Sequence, residues 1–255
     1  MKFDTYLPCE LLLPYVKALV ISETAEESVY KVLPDTGVVI GFQYYGQLAY
    51  ELQGKEYKLA PSGITGINDS FRLFRNSVNI GTVLVFFKEA GAATFFKQPL
   101  HELFRESVSL DNFMLRSELL ILEEQLFSAK TDSERIATVE QFLISRMRYM
   151  EPDPIVLQAI AIIHQHHGNI RIKELLQQVH LSQSPFEKRF RSAVGTSAKK
   201  FASIVRMKYA LQAYDRKRSL TELGYEMGFY DQSHFIKEFK NFTGVAPEDY
   251  FKGNS

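Results

Sequence analysis

The chain has 255 residues, of which 45% are hydrophobic and 13% aromatic, which allows one large domain or two ordinary ones and argues against global disorder. No segment approaches the roughly 20 apolar residues that span a bilayer, and the single cysteine, Cys9, excludes an internal disulfide, so we expect a cytoplasmic protein with no membrane partner. The net charge is zero, yet residues 1–154 carry 15 Lys and Arg against 21 Asp and Glu, whereas residues 155–255 carry 15 against 9, an asymmetry typical of a basic phosphate-binding module on an acidic partner.

Residues 1–110 have the pattern of a β-rich domain. Short β-branched and aromatic runs at 38–42 and 82–87 lie among turn sequences at 34–37, 53–55, 61–63 and 79–81. This spacing predicts a small β barrel or sandwich. The aromatic residues of the domain are candidates for the wall of a ligand pocket, or else they simply form its core: Tyr44, Tyr45, Tyr50, Phe74, Phe86 and Phe87.

Residues 111–150 change to a helical period. Apolar residues recur at helical steps in two stripes: Phe113, Leu115, Leu119, Leu122 and Leu126, then Ile136, Val139, Phe142, Leu143 and Met147. The break at 129–133 offers Asp132 or Ser133 as a helix N-cap. We therefore expect a helical hairpin whose apolar stripes pair two subunits in a homodimer. Two prolines in the following linker, residues 151–154, end the helical pattern.

Residues 155–255 begin with a unit of short helices. A helix at 155–166 leads to a short helix at 172–179, a tight turn at His180 and a further helix capped by Ser182. That further helix has Phe186 and Phe190 on its inward face and Ser184, Glu187, Lys188 and Arg191 on its outward face. An apolar side that anchors the helix and a polar side that faces a groove are what a recognition helix needs.

A second unit repeats this plan, with matching positions Ser184 and Gln232 separated by 48 residues. A short helix at 220–227 is followed by Gly228, where positive φ is favourable, and by a helix capped by Asp231. That helix has Phe235 and Phe239 inward and Gln232, Ser233, Ile236, Lys237 and Lys240 outward. A long helix at 199–215 joins the units, so two recognition helices can enter successive major grooves, roughly 34 Å apart.

The residues of both units resemble the AraC/XylS family of transcription regulators. The first unit is similar at Leu181, Ser182, Phe186, Arg189, Phe190, Gly195, Phe201, Arg206, Ala210 and Leu211, and the second at Leu223 and through the stretch GFYDQSHFIKEFKNFTGVAP at 228–247. The resemblance covers about 100 residues and implies an all-α domain of two helix-turn-helix units that binds double-stranded DNA. The chain departs from the family at Leu176 and Gly224, where alanine is usual, and at His180, where glycine is usual.

Carried over position by position, the resemblance implies which side chains contact DNA. The base-contacting candidates are Ser184, Glu187, Lys188, Gln232, Ser233 and Lys237, and the phosphate-contacting candidates are Arg191, Lys199, Lys200 and Lys240. Glutamine can bond adenine, lysine guanine and glutamate cytosine, while phosphate contacts position the protein. The alternative for each residue is a solvated helix face, and Arg189 and Arg206 are open to a structural role instead.

Three segments, 32–37, 88–96 and 99–103, resemble a domain of undefined role that is often fused to AraC-type DNA-binding domains. In related regulators a cupin-like barrel senses a small molecule and an adjoining helical hairpin dimerises. The resemblance therefore implies an α+β chain of two domains: a cupin-like sensor at 1–110 with the hairpin at 111–150, and a DNA-binding domain at 155–255. Its implied partners are DNA, a small-molecule effector, a second subunit and RNA polymerase.

The side chains needed for metal binding or catalysis do not form a readable pattern. Residues 1–154 contain one histidine, His101, and Cys9 has no evident base partner. His164, His166 and His167 lie near a helix C-terminus, where cationic side chains suit the helix dipole. We expect no metal, no cofactor and no enzyme activity.

Two alternatives from other classes stay open. One is a ligand-binding or protein-interaction module whose helix-turn-helix region does not read DNA, an idea motivated by Leu176 and Glu187. The other is an enzyme in the barrel with a regulatory tail, against which the missing nucleophile motif and metal cluster count heavily.

Overall fold

The computed structural model describes residues 1–52, 54–148, 152–214, 220–229 and 231–253. Strands dominate the first part and helices the second, which confirms the predicted α+β class. No described helix is long and apolar enough to cross a membrane. Parts of several sequence predictions lie outside the described residues: Gln53 in a turn, residues 149–150 of the hairpin, Glu151 in the linker, residues 215–219 at and after the end of the long helix, Tyr230 in the motif of the second unit, and residues 254–255. The unit boundaries at 110, 150 and 154 stay predictions.

The strands form two antiparallel sheets that face each other. Across the described ranges they are β1 (Lys2–Tyr6), β2 (Val16–Thr24), β3 (Ser28–Val32), β4 (Val39–Tyr45), β5 (Leu48–Leu52), β6 (Lys55–Lys58), β7 (Ser62–Thr65), β8 (Arg72–Asn76), β9 (Ile80–Phe87) and β10 (Ser107–Ser109). The larger sheet has the order β1-β2-β9-β4-β7-β10 and the smaller β3-β8-β5-β6. Both predicted strands, β4 and β9, lie side by side in the larger sheet.

Alternation along the central strands gives the larger sheet two different faces. On β4, Ile40 and Phe42 belong to the hydrophobic core shared with the hairpin, whereas Val39 and Gly41 line a cavity on the opposite face, toward the smaller sheet. Phe86 on β9 lines the same cavity. The layers are therefore hairpin, larger sheet, cavity and smaller sheet.

The hairpin consists of α1 (Arg116–Ser128) and α2 (Asp132–Arg146). Its N-cap is Thr131, so the prediction of Asp132 or Ser133 was wrong by one or two residues. Thr131 accepts a hydrogen bond from the Glu134 N–H while the Glu134 carboxylate reaches back to the Thr131 N–H. This reciprocal pair satisfies two otherwise unpaired backbone donors.

The apolar stripes of the hairpin do not form the expected free surface. Leu119, Leu122 and Leu126 of the first stripe and Ile136, Val139 and Leu143 of the second are buried in the core that the hairpin shares with the larger sheet. Leu115 is the exception, at 67% exposure. The stripes therefore stabilise the chain itself, and a subunit interface would need another surface.

The helical domain contains two units around one core. Its described helices are α3 (Pro154–Gln165), α4 (Ile172–Gln178), α5 (Gln183–Val194), α6 (Ala198–Ala213), α7 (Leu220–Glu226), α8 (Gln232–Thr243) and α9 (Pro247–Gly253). The core includes Phe186, Phe190, Phe201, Phe235 and Phe239, all fully buried. The short helix α9 is an addition to the prediction. It begins at Pro247, whose fixed φ suits the first helical position.

Candidate nucleic-acid interface

Both units contain the tight turn that a helix-turn-helix needs. The residue at the turn has positive φ in each case, +51° at His180 and +72° at Gly228. Glycine adopts this geometry freely, whereas a residue with a Cβ is strained there by roughly 1 kcal/mol. The turn of the first unit therefore keeps its shape although histidine replaces the smaller residue.

The two recognition helices begin differently. The Asp231 side chain accepts a hydrogen bond of 2.7 Å from the His234 N–H at the start of α8. Ser182 occupies the corresponding N-cap position of α5, but its side chain makes no capping hydrogen bond. The predicted caps are thus correctly positioned, and only the second has the expected bond.

On α5 the outward face is exposed at three of its four predicted positions. Ser184, Lys188 and Arg191 are exposed, while Glu187 is half-buried. Burial raises the pKa of Glu187, and the backbone N–H of Ala198 and the charge of Arg191 oppose this rise. Glu187 therefore lies against the start of α6, which sequence spacing did not indicate.

On α8 the outward face is more uniform. The predicted contact residues Gln232, Ser233, Lys237 and Lys240 are all exposed. Ile236, expected to face outward, is instead half-buried and packs against the helical core. The exposed residues near the start of α8 are polar, and this part of a recognition helix is the one that contacts base edges.

At the start of α6 the two predicted phosphate contacts have different surroundings. Lys199 is exposed. Lys200 forms an ion pair with the buried carboxylate of Asp69 in the β-rich domain. Sequence reasoning missed this contact because 131 residues separate the partners.

Two further ion pairs cross from the β-rich domain to the helical domain. Lys208 pairs with Asp35, and the His164 Nε2 lies 3.2 Å from the Glu89 Oε1. Asp35 and Glu89 belong to segments 32–37 and 88–96, which resemble the domain of undefined role that is often fused to AraC-type DNA-binding domains. Those segments are thus part of the contact between the domains.

The pKa values of these carboxyl groups reflect their partners. His164 and the Thr36 hydroxyl, against the effect of burial, lower the pKa of Glu89 to about 2. Burial favours the neutral form of Asp35, but the hydrogen bond and charge of Lys208 keep the pKa of this carboxyl below its ordinary value. Asp69 is also buried, and Arg105 and Lys200 lower its pKa in the same way.

Comparison with known proteins agrees with the motif of the second unit. Residues 175–253 match a family model described as a helix-turn-helix domain, and residues 4–109 match a domain of unknown function, DUF6597. The carboxyl-terminal domain is an AraC-type helix-turn-helix domain. The family resemblance that the sequence predicted is therefore confirmed.

Relatives of the AraC-type domain include named and uncharacterised regulators. The Msm operon regulatory protein of Streptococcus mutans is 28% identical over 155 residues, which are 59% of this chain and 55% of that protein. An uncharacterized HTH-type transcriptional regulator of Haemophilus influenzae is 29% identical over 97 residues, 38% of this chain and 33% of that protein. The chain thus spans about half the length of the first relative. A structure of ToxT from Vibrio cholerae is 12% identical, with 99% of this chain and 98% of that chain covered and a TM-score of 0.46.

The departures of this AraC-type domain from the family pattern have structural explanations. Leu176 is half-buried and packs against the helical core, so the larger side chain adds to that core. A Cβ added at Gly224 would lie 3.4 Å from the Phe235 side chain, which is close to ordinary contact. Neither departure disrupts its unit.

Two of the histidines near the end of α3 make specific side-chain contacts. His167 stacks on Tyr209 with ring centroids 3.8 Å apart, and His164 is paired with Glu89 as described above. Within the described ranges, no group of three or more His, Cys, Asp or Glu residues could hold a metal ion.

The cavity between the sheets has a volume of about 360 Å³. Of the aromatic candidates, Phe74 and Phe86 line it. Tyr44 instead lies in the core, where its hydroxyl donates to Glu23 at 2.7 Å, and Phe87 also belongs to that core. Tyr45 makes an edge contact with Phe127 and Tyr50 stacks on Tyr57, and neither tyrosine lines the cavity. Strand alternation turns Tyr44 to the other face of its sheet. Of the aromatic candidates only Phe74 and Phe86 therefore line this cavity, and a ligand contact by these residues stays a prediction.

Proposed function

We propose that the chain is a sequence-specific DNA-binding transcription regulator. The observation that carries this proposal is the pair of AraC-type recognition helices, each with an apolar side buried in one core and an exposed polar start. Two such helices joined by α6 suit successive major grooves. The excess positive charge of residues 155–255 supplies the sequence-independent part of binding.

The proposed contacts fall into two classes. For base reading we propose Ser184, Lys188, Gln232, Ser233 and Lys237, with Glu187 as the weakest candidate because it is half-buried against α6. For phosphate contact we propose Arg191, Lys199, Lys200 and Lys240, and Lys200 would have to share its charge with Asp69. An activator would in addition contact RNA polymerase.

The first test is selection of bound sequences from a random DNA pool at roughly physiological salt, with Gln232→Ala and Lys237→Ala beside the wild type. We expect an enriched motif that loses information at particular base pairs in each variant, since each good bidentate contact is worth about 1–3 kcal/mol of discrimination. Lys58→Ala, on an exposed position of β6, is the control and should leave the motif unchanged. A motif indifferent to both recognition-helix changes would contradict the proposal.

We also propose that the cavity between the sheets binds a small, uncharged and largely apolar effector. Its described lining residues carry no charged side chain; the polar ones include Gln43, Asn76 and Thr82. Gln43 donates to the Ala60 carbonyl and Asn76 to the Glu26 carbonyl, so much of their hydrogen-bonding capacity is already used. A charged ligand would remain unpaired there, at a large desolvation cost.

A neutral fluorescent naphthylamine, N-phenyl-1-naphthylamine, tests this site. We expect its emission to rise with wild-type protein and to fall back when Leu84→Trp fills the cavity. Val78→Trp, at an exposed position that does not line the cavity, is the matched control. Equal binding to both tryptophan variants would contradict the assignment.

We further propose a homodimer, with its interface on the outward face of α1. Leu120, Ile121 and Phe127 are 51%, 59% and 60% exposed there, and burying large apolar side chains favours association. Sedimentation velocity at micromolar concentration, with and without DNA, should give a dimer that Phe127→Glu converts to monomer. A wild-type monomer under both conditions would contradict the dimer.

A second candidate is a ligand-binding or interaction module that does not read DNA. The pairing of Lys200 with Asp69 and the nearness of Glu187 to Arg191 favour it, because each carboxylate offsets part of the positive charge available to phosphate. A salt-dependent, sequence-selective footprint would exclude it. We assign no catalytic activity to the chain and propose a cytoplasmic location, in keeping with the regulator relatives.

A further inference from the structure

The loop between β7 and β8, residues 66–71, leaves the larger sheet and enters the smaller one. Between the two sheets the loop packs against the helical domain. Ile67 is only 1% exposed and belongs to the hydrophobic core of that domain rather than to the core of its own sheets. The β7–β8 loop is therefore anchored among the helices.

Asp69 in this loop contacts the helix that joins the two helix-turn-helix units and the recognition helix of the second unit. Its carboxylate accepts a hydrogen bond from Lys200, which lies in the first turn of α6, directly after the recognition helix of the first unit. Its backbone carbonyl accepts a hydrogen bond of 3.0 Å from the Asn241 Nδ2, on the recognition helix of the second unit. One residue thus connects α6 with α8.

Arg105, which precedes β10, and Phe71, in the loop itself, fix the position of Asp69 and of the loop. Arg105 donates two hydrogen bonds to the Asp69 carboxylate, of 2.6 and 2.8 Å, and the Asp69 side chain is only 6% exposed. Two residues further on, the Phe71 ring packs so closely on Gly244 that a Cβ at Gly244 would lie 2.8 Å from it. The carboxyl end of α8 is therefore held by the β-rich domain as well.

We propose that the β7–β8 loop sets the relative placement of the two recognition helices, with Asp69 as the positioning residue. The consequence for DNA, which rests on the proposed function, is that the spacing of the two half-sites read by the protein depends on a residue of the β-rich domain. The proposed base-contacting starts of α5 and α8 stay exposed. The loop holds the later part of α8 through Asn241 and acts on α5 through the start of α6, where Lys200 lies, so it orients these helices without covering them.

A distance measurement tests the placement without DNA. With Cys9→Ser, spin labels at Ser184→Cys and Ser233→Cys report the separation of the two recognition helices by pulsed electron resonance. We expect one narrow distance distribution, which broadens or shifts in Asn241→Ala and Asp69→Asn. Asn112→Ala is the matched control, because Asn112 is also exposed and its Nδ2 also donates to a backbone carbonyl, that of Ser109. An unchanged distribution in both loop variants would overturn the proposal.

A second test measures DNA binding. It uses the motif that wild-type protein selects, with one or two base pairs inserted or removed between the half-sites. We expect the preference for the selected spacing to fall by about fivefold in Asn241→Ala, the size of one hydrogen bond, and by about tenfold in Asp69→Asn. A loss of stability alone weakens binding to all spacings equally. An unchanged spacing preference, or a motif with one half-site, overturns the proposal. A wild-type protein that selects no motif contradicts the proposed function, while the label distances still decide the placement.

Asp69→Asn removes a buried charge, so its folding has to be checked by thermal unfolding. Asn241 is exposed, and its replacement by alanine is expected to leave the fold intact. Agreement between these two variants therefore separates positioning from unfolding.

Discussion

The guanidinium of Arg206 lies over the ring of Phe229, 4.2 Å from its centroid. Arg206 is on α6, and Phe229 follows the turn of the second unit, so this contact fastens the joining helix to the second unit. Burial lowers the pKa of Arg206, while the nearby Glu238 opposes that effect. Arg206 thus has the structural role that its sequence left open.

Replacing Arg206 by alanine should lower the free energy of unfolding by about 2–3 kcal/mol, because a largely desolvated cation–π contact and its ion pair are lost together. Urea unfolding at neutral pH measures this. Arg189→Ala is the control: Arg189 is half-exposed and 3.5 Å from Asp153, and such a pair is worth about 1 kcal/mol at most. Equal losses in the two variants would argue against the structural role of Arg206.

The N-caps of the two recognition helices should contribute differently to the free energy of unfolding. Asp231→Ala removes a real capping hydrogen bond at α8 and should cost about 1 kcal/mol. Ser182→Ala at α5 removes a side chain that makes no such bond, so its cost should be a few tenths of a kcal/mol. Thermal unfolding of both variants checks the difference, and a larger effect for Ser182 would mean that its hydroxyl caps α5 in solution.

The left-handed backbone of His180 should make glycine more favourable at this position. We expect His180→Gly to raise the free energy of unfolding by about 0.5–1 kcal/mol, the strain of a Cβ at positive φ less the extra chain entropy of glycine. The reverse experiment is Gly228→Ala, where φ is +72° and a Cβ would lie 2.3 Å from Asn169. That variant should be clearly destabilised, and a neutral result for both would show that these turns relax.

Acid should weaken the contact between the domains at Glu89. Its pKa in the folded chain is about 2, below the ordinary 4.5, so the ionised group stabilises the fold fully above pH 4.5 and this contribution disappears as the pH falls toward 2. Glu89→Gln should therefore be less stable than wild type at pH 7, by about 1–2 kcal/mol. This difference in the free energy of unfolding should shrink as the pH falls from 4.5 toward 2. Asp35 is present in both the wild type and Glu89→Gln, so its contribution to the pH dependence cancels when the two free energies of unfolding are subtracted. A difference independent of pH would contradict the pairing with His164.

Salt dependence of DNA binding should separate free lysines from the paired one. Each phosphate contact contributes about 0.9 to the slope of log affinity against log salt concentration. Lys199→Gln, at an exposed lysine, should reduce the slope by about that amount, and Lys200→Gln by less, because Asp69 already neutralises part of its charge. Affinity measured from 50 to 300 mM salt gives the slopes. Identical reductions would mean that Lys200 leaves Asp69 when DNA binds.

The sequence by itself determined the helical domain in most respects. The i, i+4 pairs of phenylalanine placed both recognition helices, and the turns at His180 and Gly228 followed from local chemistry within a few residues. The strands β4 and β9 were equally visible, because hydrophobic patterning and turn residues act over short distances along the chain. Even the missed cap at Thr131 was an error of one or two residues.

Only the tertiary structure decided which faces meet. From the sequence Lys200 is predicted to contact phosphate, but the fold places Asp69 beside it. The hairpin stripes are predicted to form a dimer surface, but the larger sheet covers them. Tyr44 and Phe86 are both aromatic strand residues, yet alternation sends one into the core and the other to the cavity. Lys200 and Asp69 are 131 residues apart in the sequence, and the hairpin packs on strands that lie far before it in the chain. Local propensity carries no information about such contacts.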